Sequence, residues 1–329
     1  MTGTRFTSAE MERHLGRISR DFPDLYQRLD VERARLWAGD YEALMPLGDD
    51  FGDAGSGGRG ESYVRAQARN MRARARGIEQ LLGYIRAGSG APSKTVVDVL
   101  GGDGLVQRVA SALCLADVEV LTCDASPYMV RAAWEANFPA LLQRADRLLQ
   151  RDCSVEGVLV AYGSHHIAPQ DRPELARESH RVLRPGGIMV LHDFQTGSPM
   201  DTWFADVVDP YSVTGHKFDH FTREEIGGYL TDAGFPQVDV VDMADPYVAV
   251  APTAEQAELE LGRYLADMYG LVKIQESQGA EADRWVVERA KSVFRYPGEA
   301  FSVHYSAREQ SWTAVLPRRA LVAFGTKSG

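Results

Sequence analysis

Cysteine is scarce in this chain: three residues in 329, Cys114, Cys123 and Cys153, an odd number without metal-ligand spacing. That argues against a disulfide scaffold and a thiolate-held metal centre, and reads all three as reduced packing residues. Long apolar runs are missing too. No stretch approaches the ~18 residues that span a bilayer, and the polar start MTGTRFTSAE lacks a signal-peptide pattern. A soluble, cytoplasmic protein with no membrane partner is expected. Basic residues are outnumbered, 36 Lys and Arg against 46 Asp and Glu, for a net charge of −10. Nucleic acid is therefore not an expected partner, because neutralising phosphates needs a basic surface. No internal repeat or low-complexity tract is present. What remains is a 44% hydrophobic chain, longer than one ordinary domain and able to bury a sizeable core.

The informative segment is TVVDVLGGDG at 95–104: β-branched and aliphatic residues, an acid near the end of the run, then Gly101, Gly102 and Gly104. A second apolar run ends on Asp124, giving the order strand, glycine turn, helix, strand, acid. This order builds a nucleotide-binding crevice, in which glycines let the backbone approach a ligand and a carboxylate accepts both ribose hydroxyl hydrogens. A dinucleotide would require G-x-G-x-x-G, but Gln107 occupies the third glycine position. S-adenosylmethionine (SAM) instead favours an acid ahead of the glycines, since it carries a sulfonium and an ammonium and no phosphate. Asp98 stands there.

D-V-L-G-G-D-G resembles motif I of the class I SAM-dependent methyltransferases, with Leu100 in place of the usual first glycine. Further blocks resemble the same family in order. CDASPYM at 123–129 matches the second-strand acid and helix start, and Arg144-Ala145-Asp146 lies where an adenine-contacting carboxylate is common. VLVAYGSHHI at 158–167 matches the fourth strand and the loop facing the methyl group. HRVLRPGGIMVLHDF at 180–194 resembles a helix, a Pro-Gly-Gly turn and the fifth strand, and FTREEIGGYLTDAGF the last core helix. The resemblance implies an α/β fold, a doubly wound seven-stranded Rossmann-like core. It also implies SAM as cofactor, held by Asp98, Gly102, Gly104, Asp124, Ala125, Asp146 and Tyr162.

Around that core the expected organisation is a helical segment over 1–90 (cover or dimer contact), the SAM-binding core over 91–250, an insertion over 251–317 near the active-site mouth, and a last core strand within 318–329. Thr7 and Glu10 form a candidate capping box for a helical stretch to about Leu36, with Met11, Leu15, Ile18 and Leu25 on its apolar face. The stretch 47–60, LGDDFGDAGSGGRG, reads as a flexible break. A helix over 61–87 then lines up Arg65, Arg69, Arg72 and Arg76 on one face. A homodimer is expected.

For an in-line methyl transfer the candidate side chains lie at the carboxyl ends of strands four and five: His165 or His166 to accept or relay a proton, and Asp193 beside the acceptor. Between Asp193 and Asp245 eleven acids face two bases. Carboxylates mixed with aromatic rings suit a polycationic, hydroxylated acceptor, and His192, Asp201, Trp203, Tyr211, Asp219 and His220 are the expected substrate contacts. The chain is similar to enzymes that tailor antibiotics, aminoglycoside N-methyltransferases of the gentamicin type among them, which implies N-methylation of an amino sugar. No resident metal is expected in that reading. An alternative rests on MVLHDF, which resembles C-methyltransferases acting on 2-oxo acids. There Arg72 or Arg76 clamps a carboxylate and His192 with Asp193 helps hold a metal. A third alternative, a non-catalytic SAM-binding or dimerisation protein, draws on Leu100 alone.

Overall fold

A computed structural model describes residues 6–44, 49–88 and 90–329, apart from the side chains of 40–44. Its centre is a seven-stranded sheet in the order β3-β2-β1-β4-β5-β10-β6. The strands are β1 Lys94–Val99, β2 Val118–Asp124, β3 Ala140–Leu142, β4 Val155–Ala161, β5 Leu183–Asp193, β6 Val238–Ala244 and β10 Arg319–Thr326. β1 pairs in parallel with β2 and β4, and β4 with β5, whereas β10 inserts antiparallel between β5 and β6. Strands covered on both faces need continuous apolar runs, and every residue of β1 and β4 is buried accordingly. The parallel pairing brings the carboxyl ends of β1, β2, β4 and β5 to one edge, where such sheets open a crevice.

The N-terminal helices cover this sheet in three pieces rather than one. Thr7 accepts from the Glu10 amide and starts the helix Ser8–Asp21, but Pro23 restarts the chain as Pro23–Gln27 and a third helix follows at Val31–Leu44. Proline lacks the N–H that an uninterrupted helix would need at that position. The four expected apolar residues are buried, and Glu10 grips Arg131 of the core through two bonds of 2.7 and 2.9 Å.

The arginine-bearing segment also breaks, and that break shapes the site. Helix Gly60–Arg69 stops at Asn70, whose backbone leaves the helical region and whose side-chain amide donates to the Val248 carbonyl at 2.9 Å. A single turn at Met71–Ala73 follows, then a second helix, Ala75–Ala87. Arg65 consequently pairs with Asp267 and Arg72 with Glu309, and Arg76 is exposed. Arg74 is turned inward, 4% exposed.

Beyond β6 the chain leaves the main sheet earlier than residue 251. β7, Tyr247–Ala251, joins β9, Ser311–Leu316, and β8, Ser302–Ser306, in a separate antiparallel sheet. Helices Ala254–Tyr269, Val272–Gln278 and Ala282–Val293 lie between, the first packing against both Ala282–Val293 and Gly60–Arg69. The expected Pro-Gly-Gly turn is instead part of β5, accommodated by a register shift opposite Val155 and Gly157. Among the described residues no helix is long and apolar enough to cross a membrane.

Candidate active site

A cavity of about 360 Å³ opens at the carboxyl edge of the sheet. Its floor is the turn after β1. Gly101 is obligatory there, because a Cβ would sit 2.7 Å from Asp98 Oδ2 and 2.9 Å from the Asp98 carbonyl. Gly102 and Gly104 take φ of 59 and 84°, and Leu100, where the resemblance calls for glycine, also takes a left-handed φ of 62°. The turn therefore keeps the glycine conformation with a side chain that makes it strained. Asp98 is 2% exposed with Oδ2 lacking any partner, and burial pushes its carboxyl well up.

Asp124 closes the turn from β2: its Oδ2 accepts from the Gly102 amide at 2.9 Å and its Oδ1 from the Ser126 amide at 2.8 Å. Burial, only partly offset by those amides, pushes this carboxyl up to about 6. Ala125, Asp146 and Tyr162 also line the cavity, Asp146 held by Arg144 through two 2.7 Å bonds. An unpartnered acid, a glycine floor and a second acid suit the ammonium, backbone approach and ribose of SAM. The residues present fit that cofactor.

The roof comes from a segment that its glycine content marks as flexible. Residues 47–48 lie outside the described residues, but Asp49 to Arg59 fold over the cavity through Arg59 N to Asp50 O and Gly60 N to Gly52 O bonds, each 2.9 Å. Asp49 Oδ2 accepts from Ser126 Oγ at 2.7 Å, Lys217 reaches Asp50 at 3.0 Å, and Phe51 lies edge-on to Tyr63 and His166. Glycine here permits a tight return: a Cβ on Gly58 would fall 2.4 Å from the Gly52 carbonyl.

At the far wall stand His165 and His166, both lining the cavity. His165 Nδ1 lies 2.8 Å from Asp193 Oδ1. A carboxylate only accepts, so Nδ1 carries a proton, and in the neutral ring the lone pair is on Nε2. Asp193 itself is fully buried and does not line the cavity. Each of its oxygens takes two bonds: Ser164 Oγ at 2.5 Å and the His165 amide at 2.8 Å on Oδ2, and His165 Nδ1 with the Phe194 amide at 2.7 Å on Oδ1. Against the upward push of burial, His165 and these donors hold its carboxyl well below the usual range. Asp193 thus sits behind His165 and away from the cavity wall that its place in sequence suggests. His166 is driven well down by burial and by neighbouring His165 and Arg59, and stays neutral.

The expected substrate contacts are placed elsewhere. His192, adjacent to Asp193 on a strand, points to the opposite face, where its Nε2 lies 3.3 Å from Asp245, itself bound by Arg318 at 2.5 Å. The pair His192 and Asp193 therefore cannot share a metal. Asp201 holds His220 Nδ1 at 2.7 Å, Trp203 is core packing against Phe294, Tyr211 stacks edge-on to Trp285, and Asp219 is exposed. None of these, nor His220, lines the cavity. Asp206 pairs with Arg289 and Asp209 with His216, so the acidic segment finds its partners outside the cavity.

Three arginines missed by the spacing argument, Arg59, Arg74 and Arg318, line the cavity instead. Arg318 is neutralised by Asp245, whereas Arg59 and Arg74 open on the cavity without a carboxylate partner among the described residues. Arg59, 9% exposed, donates to the Met268 carbonyl at 2.6 Å, covers the Phe51 ring and comes within 3.5 Å of His166 Nε2. Burial brings its guanidinium down to about 10, so it remains charged at neutral pH. Both arginines lie in or beside breaks of the local helix, a signal the composition of 47–60 and Asn70 carried only faintly.

Among the described residues His165, Asp193 and His220 could offer metal-ligand atoms within 4.8 Å of one another. Asp193 already accepts four hydrogen bonds, so an ion there would have to displace at least one of them.

Residues 97–191 match the family described as "Methyltransferase domain". The chain is 28% identical over 184 residues to an arsenite methyltransferase of Halobacterium salinarum, covering 53% of this chain but only 45% of that protein. It is 25% identical over 206 residues to the ubiquinone/menaquinone biosynthesis C-methyltransferase UbiE of Rubrivivax gelatinosus, covering 61% of this chain and 68% of the relative. Among solved structures, YcgJ of Bacillus subtilis shares 17% identity at a TM-score of 0.45, over 76% of this chain and 99% of that one. A Haemonchus contortus phosphoethanolamine N-methyltransferase 2, solved with phosphomonomethylethanolamine and S-adenosylhomocysteine, shares 17% identity at a TM-score of 0.48, over 76% of this chain and 53% of that one.

Proposed function

We propose, on the premise that this chain is a class I SAM-dependent methyltransferase, that it methylates a small carboxylate-bearing molecule and that His165 removes the proton from the attacking atom. The observation that carries this reading is Arg59, a buried cation at the cavity wall beside His166 with no carboxylate partner among the described residues to neutralise it. Leaving such a charge unpaired is unfavourable, and a bidentate carboxylate relieves it.

SAM, when bound, supplies an electrophilic methyl carbon on a sulfonium and leaves as S-adenosylhomocysteine. The chain's own residues align and deprotonate the acceptor. Arg59 holds its carboxylate, His165 Nε2 takes the proton while Asp193 stabilises the resulting imidazolium, and Phe194 and Phe204 in the wall exclude water. A 2-oxo acid methylated at carbon satisfies each of these contacts, and the name of the UbiE relatives, a C-methyltransferase, agrees in reaction type. N-methylation of an amino sugar in antibiotic biosynthesis is the competing acceptor class. The acids expected to hold it, Asp201, Asp206, Asp209 and Asp219, stand outside the cavity, and Asp49 and Asp50, which do line it, are engaged by Ser126 and Lys217.

The test is incubation with methyl-labelled SAM against a panel of 2-oxo acids and aminoglycosides, with and without chelator. Label transfer to a 2-oxo acid that falls ~10–150-fold in kcat/KM on Arg59→Gln is expected, since a charge-assisted pair contributes about 1.5–3 kcal/mol. Transfer to aminoglycosides alone overturns the reading. Loss of activity with chelator would point instead to an ion at His165 and His220.

A further inference from the structure

Arg74 and Asp98 present a separate problem, because they are a buried guanidinium and a buried carboxyl, each short of partners, that share one cavity and do not pair. Asp98 is 2% exposed, its Oδ2 has no partner, and no cation pairs with it among the described residues. Arg74 is 4% exposed; its Nη2 donates to Tyr63 Oη at 3.0 Å, its Nε is buried without an acceptor, and its guanidinium lies 4.6 Å from the centre of the Tyr162 ring. Phenol rings and hydroxyls soften a buried cation without neutralising it.

The two groups flank the same turn. Tyr63, which orients Arg74, lies against Gly102, where a Cβ would come 3.3 Å from Tyr63 Cε1 and 3.5 Å from its hydroxyl oxygen. Asp98 supports the other side, touching the position where Gly101 would carry a Cβ. A ligand that satisfies both must carry a cation and an anion a few ångströms apart, which is the chemistry of an α-amino acid group.

We propose that Arg74 binds the α-carboxylate of the methionine arm of SAM, while Asp98 binds its ammonium and Tyr63 sets the guanidinium. This rests on the reading that SAM occupies the cavity, and it divides the unpaired arginines between the two ligands, Arg74 serving the cofactor and Arg59 the acceptor. It also assigns a residue from the N-terminal segment to cofactor binding, so that helix Gly60–Arg69 and the break after it complete the site.

Calorimetric binding tests this without methyl transfer. The ligands are S-adenosylhomocysteine and its decarboxylated analogue, which keeps the amine, sulfur and adenosine but lacks the carboxylate. Wild-type protein is expected to bind the analogue ~10–150-fold more weakly, the range for losing a charge-assisted hydrogen-bond pair. Arg74→Met should lose that factor for S-adenosylhomocysteine and bind the two ligands alike. Tyr63→Phe, which deletes one hydroxyl, serves if Arg74→Met does not fold, and should weaken S-adenosylhomocysteine while leaving the analogue unchanged. Equal weakening of both ligands by either variant assigns a merely structural role and overturns the proposal. So does full S-adenosylhomocysteine affinity in Arg74→Met with a raised KM for the acceptor, which would move Arg74 to the acceptor site. Should wild-type protein bind neither ligand, the SAM reading itself fails; binding without any carboxylate-dependent acceptor turnover leaves the Arg74 assignment standing and removes only the acceptor proposal.

Discussion

Asp193→Asn isolates the role of the buried carboxylate behind His165. The substitution exchanges one acceptor oxygen for an amide that donates, in a pocket where four donors converge: Ser164 Oγ, the His165 and Phe194 amides, and His165 Nδ1. Each carboxylate oxygen serves one backbone N–H, so either orientation of the asparagine strands one buried amide. If the amide replaces Oδ1, His165 must also change tautomer and present a proton to the acceptor in place of a lone pair. If it replaces Oδ2, the tautomer survives but the negative charge that stabilises the imidazolium is gone. A stranded buried N–H costs about 1–3 kcal/mol. For a chain of this length that is roughly 2–4 °C in melting temperature.

The catalytic effect should be larger, a fall of ~10²–10⁴ in kcat, the range for a lost general base. Binding of S-adenosylhomocysteine should stay within about twofold, because Asp193 does not reach the cavity, and a double variant with His165→Gln should be little slower than either single one. Steady-state kinetics at saturating cofactor and calorimetry on the same preparations check both. A kcat within about threefold of wild type, or cofactor binding that weakens in step with the rate, refutes the assignment of His165 as a base held by Asp193. The sign of the pH effect follows from the depressed carboxyl. Wild type keeps the stabilisation of charged Asp193 above the ordinary carboxylate range and loses it as pH falls below that range, whereas Asp193→Asn has none to lose.

Asp124 titrates in the opposite sense. Its folded carboxyl is raised to about 6, so its contribution to stability is full below the unfolded value of about 3.9 and is lost as pH rises through 6. Apo protein should therefore melt higher at about pH 5 than at about pH 7 by an increment absent in Asp124→Asn, while affinity for S-adenosylhomocysteine rises over the same interval as the carboxylate becomes able to accept the ribose hydroxyls. Asp124→Ala should lose most of that affinity, and unchanged binding would refute the ribose role. Leu100→Gly should leave stability within about 1 kcal/mol of wild type, since relief of the left-handed φ offsets the extra entropy of glycine and the lost side-chain packing; a fall above ~3 kcal/mol in chemical denaturation would show that no strain is stored there. Arg72→Ala should change neither KM nor kcat by more than about twofold, because its partner Glu309 is on the surface, whereas Arg59→Gln should be damaging for a carboxylate acceptor.

How much of this was legible in the sequence depends on whether a residue's role is fixed by its neighbours in the chain. The cofactor floor is local. β1, the glycine turn, helix Leu105–Ala112 and β2 follow one another without interruption, and Asp98, Gly102, Gly104 and Asp124 fall where strand period and turn chemistry put them. Even the foreign Leu100 adopts the dihedral that its position demands, because the surrounding turn determines the backbone more strongly than one side chain does. The acceptor end is not local. A run of acids between Asp193 and Asp245 records charge without direction, and the direction came from distant partners such as Arg289 for Asp206, 83 residues away. The arginines failed for a related reason. A periodicity counted through 61–87 as one helix puts Arg72 and Arg76 together and Arg74 off their face, and a single broken turn after Asn70 reverses the outcome. That break is held by the Val248 carbonyl, 178 residues downstream, so only the folded chain could turn Arg74 toward the cavity. The charge sign of an acceptor pocket is therefore better inferred from cations buried without partners than from the composition of the nearest segment, and here the two inferences disagree.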